Sequence, residues 1–255
     1  MKKLIIANWK MNPQSLREAE DIFKGIKKGV LKLKKIDVVL CPPFVYLSKI
    51  KDSIKKNSIK LGAQNFFHEE KGSWTGEISI KMIKNIGVGF VILGHSETKK
   101  LGETNKKINT KVKLTLKNKL TPILCVGEDK RDEEGEYFSV LEEQLLEALN
   151  GVGPSFSSKV IIAYEPIWAI GEAAKKMISS EELLQTIIFI KKILADKYGA
   201  KSLGKIRILY GGSVNSLNAE DLIKNTSIDG FLVGRDSLIP EHFNKICKIV
   251  EETIL

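Results

Sequence analysis

Short runs of Val, Ile and Leu recur along the chain, each followed by a longer stretch with apolar residues at helical spacing. The strand-like runs are Leu4–Asn8, Val38–Cys41, Ile59–Gln64, Phe90–Leu93, Pro122–Val126, Val160–Tyr164, Ile206–Tyr210 and Gly230–Val233. Helical patterns cover Ser15–Leu33, Val45–Lys56, Ile78–Ile86, Thr104–Asn118, Val140–Leu149, Glu181–Tyr198, Ala219–Lys224 and Glu241–Thr253. Continuously apolar strands are what a parallel sheet covered by helices requires. About eight strand–helix units is the number that closes such a sheet into an α/β barrel, (β/α)8, of eight parallel strands each followed by a helix. A doubly wound sheet would carry a glycine-rich dinucleotide turn after its first strand, where this chain has Trp9-Lys10-Met11-Asn12. No low-complexity linker interrupts the pattern, so residues 1–255 read as one catalytic barrel domain. Ser179 and Glu182 predict a capping box at the start of the sixth long helix, and the acidic run Asp132–Glu136 reads as a solvated loop.

With 255 residues, 43% of them hydrophobic, the chain can bury one large core. No amino-terminal apolar stretch with a cleavage site is evident, and no run approaches bilayer-spanning length, so neither export nor a membrane partner is expected. Three cysteines (Cys41, Cys125, Cys247) are an odd number without metal-ligand or redox spacing, which fits a reducing cytoplasmic setting. The net charge of +10 raises the possibility of a nucleic-acid partner. The lysines are spread over most helices, few aromatics interleave with them, and no nucleic-acid-binding motif occurs. They read as solvated helix faces, with no nucleic-acid partner, whose field still draws in anionic substrates.

Chemistry in a parallel barrel gathers at the carboxyl ends of the strands. Tyr164-Glu165-Pro166 ends the sixth run and leads into the apolar Ile167-Trp168-Ala169-Ile170-Gly171, so Glu165 is a carboxylate that a closing apolar loop can strip of water. The first strand ends Asn8-Trp9-Lys10, and alternation puts Asn8 and Lys10 on one face; Lys10 is either an anion-binding group or the first solvated loop residue. Of three histidines, only His95 sits where a buried strand meets a helix start, whose positive end favours a neutral ring. Glu97 either orders Lys10 or caps that helix. Gly211-Gly212-Ser213 and Gly234-Arg235 end the seventh and eighth strands, where exposed backbone N–H groups recurrently hold phosphate. The set calls for no metal or organic cofactor and suits proton abstraction beside a carbonyl in a small phosphorylated substrate.

Motifs along nearly the whole length carry a resemblance. They are Ala7–Asn12, Cys41-Pro42-Pro43, Gly62–Asn65, Thr75–Ser79, Leu93–Glu97, Cys125–Glu128, Ala163–Gly171, Tyr210–Val214 and Gly230–Gly234. In these the chain resembles the triosephosphate isomerase family, the namesake TIM barrels. The resemblance implies an intramolecular aldose–ketose isomerase of glycolysis and gluconeogenesis. It would interconvert dihydroxyacetone phosphate and D-glyceraldehyde 3-phosphate through an enediolate. It implies Glu165 as the base, His95 as the group that polarises the carbonyl, and Lys10, Asn8 and Glu97 as their charged and polar partners. The pairing of a carboxylate with a neutral histidine is one for which this family is itself the known example. Gly171, Ser213, Gly234 and the Arg235 backbone match its phosphate-binding positions. A homodimer is implied through the Gln64–Glu77 loop, with Thr75 bracing the partner's site and Phe66, Phe67 and Trp74 buried between subunits. The chain departs from the family pattern at Glu172-Ala173 after the lid glycine, at Arg235 in place of a second glycine, and at Thr98-Lys99 in place of a basic pair. A different phosphate-sugar isomerase or epimerase on the same barrel, or a basic binding protein with a vestigial site, are the competing readings.

Overall fold

The computed structural model describes residues 1–54, 59–132, 134–169 and 177–253. Eight parallel strands close into a barrel in sequence order, β1 (Lys3–Asn8), β2 (Ile36–Cys41), β3 (Ile59–Ala63), β4 (Phe90–Leu93), β5 (Thr121–Val126), β6 (Ile161–Tyr164), β7 (Arg207–Tyr210) and β8 (Gly230–Val233), with β8 pairing back onto β1. Every strand–helix unit expected from the pattern is present. The main helices are α1 (Leu16–Val30), α2 (Phe44–Ser53) and α3 (Ile80–Ile86) in the first half of the chain. The pair α4 (Ser96–Lys100) and α5 (Asn105–Lys117) follows β4; α6 (Glu136–Ala148) and α7 (Pro154–Ser157) follow β5. After β6 come α8 (Ser180–Tyr198) and α9 (Ala200–Leu203), then α10 (Ala219–Asn225) and finally α11 (Pro240–Thr253). The short α4, α7 and α9 were not foreseen, because four or five residues are too few to show a helical period. The end of the expected second helix, at Lys55 and Lys56, lies outside the described residues.

Strand alternation sorts the core into two layers. Leu4, Ile6, Val39, Cys41, Ile92, Ile123, Cys125, Ile161, Ala163, Leu209 and Leu232 fill the barrel interior as one cluster. Their neighbours, such as Ile5, Ala7, Val38, Leu40, Val91, Ile162 and Ile208, join the surrounding helices in a second. Both faces of most strand positions are therefore dry, which is why the strands read as largely unbroken apolar runs. The interior packs tightly enough that the next inward position beyond each strand emerges at one mouth of the barrel.

Capping fixes the helix starts. Ser179 accepts from the Glu182 N–H while Glu182 accepts from the Ser179 N–H, the capping box that the spacing called for. The acidic run before α6 is not simply a solvated loop: Asp132 accepts from the N–H groups of Glu136 (2.7 Å) and Tyr137 (3.0 Å), and Glu136 opens the helix. A carboxylate at a helix amino end satisfies orphan donors and favours the dipole, so the charge has a structural cause that composition alone does not reveal. Among the described residues no helix is long and apolar enough to cross a membrane.

Closure of the barrel demands one glycine. Gly230 has φ +144, and a Cβ there would lie 1.9 Å from the Leu4 carbonyl oxygen on the neighbouring strand. Gly204, at φ −61 with nothing within 4 Å of a built Cβ, is its opposite. Equilibrium urea unfolding should therefore show Gly230→Ala losing about 3 kcal/mol or more, and Gly204→Ala gaining about 0.5 kcal/mol.

Candidate active site

A cavity of about 340 Å³ opens at the carboxyl ends of the strands, lined in part by Asn8, Lys10, His95, Glu165, Ser213, Gly234 and Arg235. All the site residues expected there lie on it except Glu97, which stands beside Lys10, and Gly171, which lies outside the described residues. The lid beyond Ala169 also falls outside them.

Glu165 continues the inward series Ile161, Ala163 of β6, so alternation aims its side chain at the mouth. Only 2% exposed, it is held by its own N–H donating to Val126 O at 2.8 Å. Its Oε2 accepts from the Ser96 N–H (3.3 Å), the first turn of α4. Oε1 accepts no hydrogen bond among the described residues, and lies 3.4 Å from His95 Nε2. A buried carboxylate oxygen with an unused lone pair is costly, and at the wall of a cavity it is available to a polar ligand. Gly211, the inward position after β7, gives it room: a Cβ there would come within 2.8 Å of Glu165 Cγ.

His95 reaches the mouth against alternation. Phe90 and Ile92 face the interior, so residue 94 is the next inward position; Gly94 takes φ +68 and turns the chain, presenting His95 instead. His95 is the N-cap of α4, and its Nδ1 accepts from the Glu97 N–H at 3.2 Å. A ring nitrogen that accepts carries no proton, so the ring is the neutral tautomer with its hydrogen on Nε2, facing Glu165.

Lys10 corrects the expectation of simple alternation. The strand ends at Asn8, and Lys10 sits in the left-handed region at φ +55. For a residue with a long side chain this costs about 1 kcal/mol or more. Three contacts hold it there: Asn8 Oδ1 accepts from the Lys10 N–H (3.1 Å), Gln64 Nε2 donates to Lys10 O (2.8 Å), and Nζ pairs with Glu97 Oε1 at 2.7 Å. Lys10 is thus a braced group, not a loose loop residue, and of the two roles open to Glu97 it takes the first. Burial tends to raise the Glu97 carboxyl, but the Lys10 hydrogen bond with the charges of Lys10 and Lys100 outweighs it and holds the group below the usual value. Gln64 is a support the sequence reading missed; it is the next inward position after β3, and the same parity would have found it.

On the far wall, Gly211, Gly212, Ser213 and Gly234 present main chain to the cavity, and Lys10 Cε would lie 3.4 Å from a Cβ on Gly234. Ser213 Oγ donates to Ala169 O (2.9 Å), tying this wall to the helical turn Ile167–Ala169 that starts the lid. Arg235 is not among the positive-φ residues, so the replacement of a glycine there brings no backbone strain. His68 and His242 lie off the cavity, stacked beside Phe67 and 3.7 Å from Asp236 respectively.

Beneath the lid turn, Glu128 Oε1 accepts from Tyr164 Oη and Trp168 Nε1, both at 2.8 Å. Burial pushes its carboxyl above the usual value, opposed by those two hydrogen bonds and by Arg131.

A parallel barrel whose mouth sets a buried carboxylate and a neutral imidazole beside a braced ammonium, facing a wall of exposed main chain, belongs to the class of enzymes that move protons on small anionic substrates. The comparisons narrow the class. The family model described as triosephosphate isomerase matches residues 3–250. Similar proteins named triosephosphate isomerase occur in Alkaliphilus oremlandii (46% identical, covering 95% of this chain and 98% of that protein) and in Endomicrobium trichonymphae (43%, covering 97% and 98%). Another, from Aquifex aeolicus, is 42% identical over 96% of this chain and 98% of its own. The chain belongs to the triosephosphate isomerase family, and it is an isomerase.

The native Glu128 carboxyl keeps its proton where the unfolded chain, near 4.5, has lost it. Its contribution to stability is therefore full below that value and is lost as pH rises through the raised native one. Glu128→Gln retains an acceptor for Tyr164 and Trp168, and should flatten the fall in urea midpoint as pH rises above about 4.5. A fall as steep as the parent's would contradict this.

Proposed function

We propose that the protein interconverts dihydroxyacetone phosphate and D-glyceraldehyde 3-phosphate, the glycolytic and gluconeogenic step its family membership implies, by proton transfer through an enediolate. Residues 1–255 act as one catalytic domain. The observation that carries this reading is the buried Glu165 Oε1, unpaired and 3.4 Å from His95 Nε2 at the cavity wall. A substrate in the cavity alongside them would meet a base at one carbon and a hydrogen-bond donor at its carbonyl oxygen.

In the forward step Glu165 takes a proton from C1 of the ketose while His95 Nε2–H donates a hydrogen bond to the C2 carbonyl oxygen. The electron pair of the broken C–H bond forms the C1–C2 double bond, and charge builds on oxygen. The Lys10 ammonium offsets that charge, and Asn8 orients the same end of the substrate. The proton returns from Glu165 to C2 as His95 passes protons between the two oxygens. This pairing of base and neutral imidazole follows the family's known precedent. The main chain at Gly171, Ser213, Gly234 and Arg235 takes the phosphate, away from the carbons being proton-shuffled. Water is excluded by the apolar Ile167–Gly171 segment, which strengthens the electrostatics and protects the enediolate.

The functional form is a homodimer through the Gln64–Glu77 loop. Trp74 is 54% exposed, and Met11, Val45, Met82 and Leu101 are exposed apolar side chains. Covering them in a dimer would remove this apolar area from water. Phe67 packs tilted against Trp74, ring centroids 5.2 Å apart, whereas Phe66 is already buried in this chain's own core. Thr75 is exposed and free to reach a partner. Buried free thiols at Cys41, Cys125 and Cys247 suit a cytoplasmic setting.

Two measurements test these claims. Glu165→Gln should lower kcat by about 10³-fold or more, leaving the inhibition constant of inorganic phosphate within about twofold; equal loss of both would make Glu165 a structural residue. Sedimentation equilibrium should give twice the 28.5 kDa chain mass, and Trp74→Asp should shift it toward one chain.

A further inference from the structure

Lys99 sits in the last turn of α4, behind the site, and its ammonium points inward. It donates to Gln144 Oε1 on α6 at 2.9 Å and to Cys125 O at 3.3 Å. Gln144 then grips Gly127 on both sides: its Oε1 accepts the Gly127 N–H (3.0 Å) and its Nε2 donates to Gly127 O (2.9 Å). Gly127 in turn lies directly against the main chain of Glu165, since a Cβ on residue 127 would stand 1.8 Å from the Glu165 carbonyl oxygen. One residue earlier, Val126 O takes the Glu165 N–H. A continuous set of contacts thus runs from Lys99 through an amide to the backbone that carries the carboxylate.

We propose that Lys99 is a positioning residue for the isomerisation, fixing through Gln144 and Gly127 the main chain on which Glu165 is mounted. The cation has a job that a neutral group could not do as well. An ammonium only donates, so it reinforces the amide orientation that Gly127 also requires, with Oε1 toward both donors and Nε2 toward Gly127 O. Charge assistance makes that choice firm. Burial pulls the ammonium below the usual lysine value, opposed by the negative charges around it, Glu165 among them. A long flexible cation is not left in such a place without a partner to orient.

The inference rests on the isomerase reading, which the parent's turnover tests separately in the same assay. In Lys99→Met, kcat should fall roughly tenfold or more, since small displacements of a reacting group are expensive. KM, and the inhibition constant of sn-glycerol 3-phosphate, should stay within about twofold, and Lys99→Arg should regain most of the loss. Should Lys99→Met fail to fold, Gln144→Glu carries the test: it keeps both acceptor contacts and sets a carboxylate oxygen against Gly127 O in place of the donor, and its kcat should drop about fivefold or more. A crystal structure of the variant tested gives a readout independent of turnover, with Glu165 displaced from the Ser96 N–H. Unchanged kcat in the variant tested, equal loss of kcat and inhibitor affinity, no recovery with arginine, or an unmoved Glu165 would each overturn the proposal.

Discussion

A carboxylate held out of water with one oxygen unpaired is the constraint around which the barrel mouth is organised. Glu165 is 2% exposed, and its Oε1 has no hydrogen bond among the described residues. Such a group costs stability, so the surroundings must over-determine it. They do so through the Val126 carbonyl below, the Ser96 N–H beside it, the absence of a side chain at residues 127 and 211, and the neutral His95 opposite. Remove any of these and the carboxylate could rotate to a cheaper, wetter position.

The same economy shapes the opposite side of the cavity. Lys10 bears a left-handed backbone to deliver its ammonium, and Asn8, Gln64 and Glu97 hold it there. The backbone strain at the cation and the unpaired oxygen at the base are both held by a rigid frame, the layered barrel wall. The chemistry needs those groups fixed before a substrate arrives, because reorganisation during the reaction would return the energy to the barrier.

Much of this could be read from alternation alone. The inward series of each strand, extended by one step, yields Asn8, Gln64, Glu165, Gly211 and Gly234, nearly the whole wall of the site. Gln64 follows the same parity, although it also opens the loop through which a dimer is implied. His95 was picked out for its place before a helix, though parity alone would have turned it outward; only the φ of +68 at Gly94 brings it in. The left-handed turn at Lys10 has no sequence signal, since nothing local favours a lysine there and the cost is met by contacts distant in the chain. Lys99 shows in the sequence only as a departure from the family pattern. Its link through Gln144 spans 45 residues of sequence, and tertiary bridges of that kind leave no periodic trace.

The central claim is that a proton, carried by a side-chain base, moves between adjacent carbons. Turnover of dihydroxyacetone phosphate in D2O, followed by NMR, tests it directly. The account requires solvent deuterium to appear at C2 of the glyceraldehyde 3-phosphate formed and at C1 of recovered substrate, because a proton held on a carboxylate exchanges before it is returned. Complete conversion with no deuterium on either carbon would mean direct hydride transfer, and the role assigned to Glu165 would be wrong.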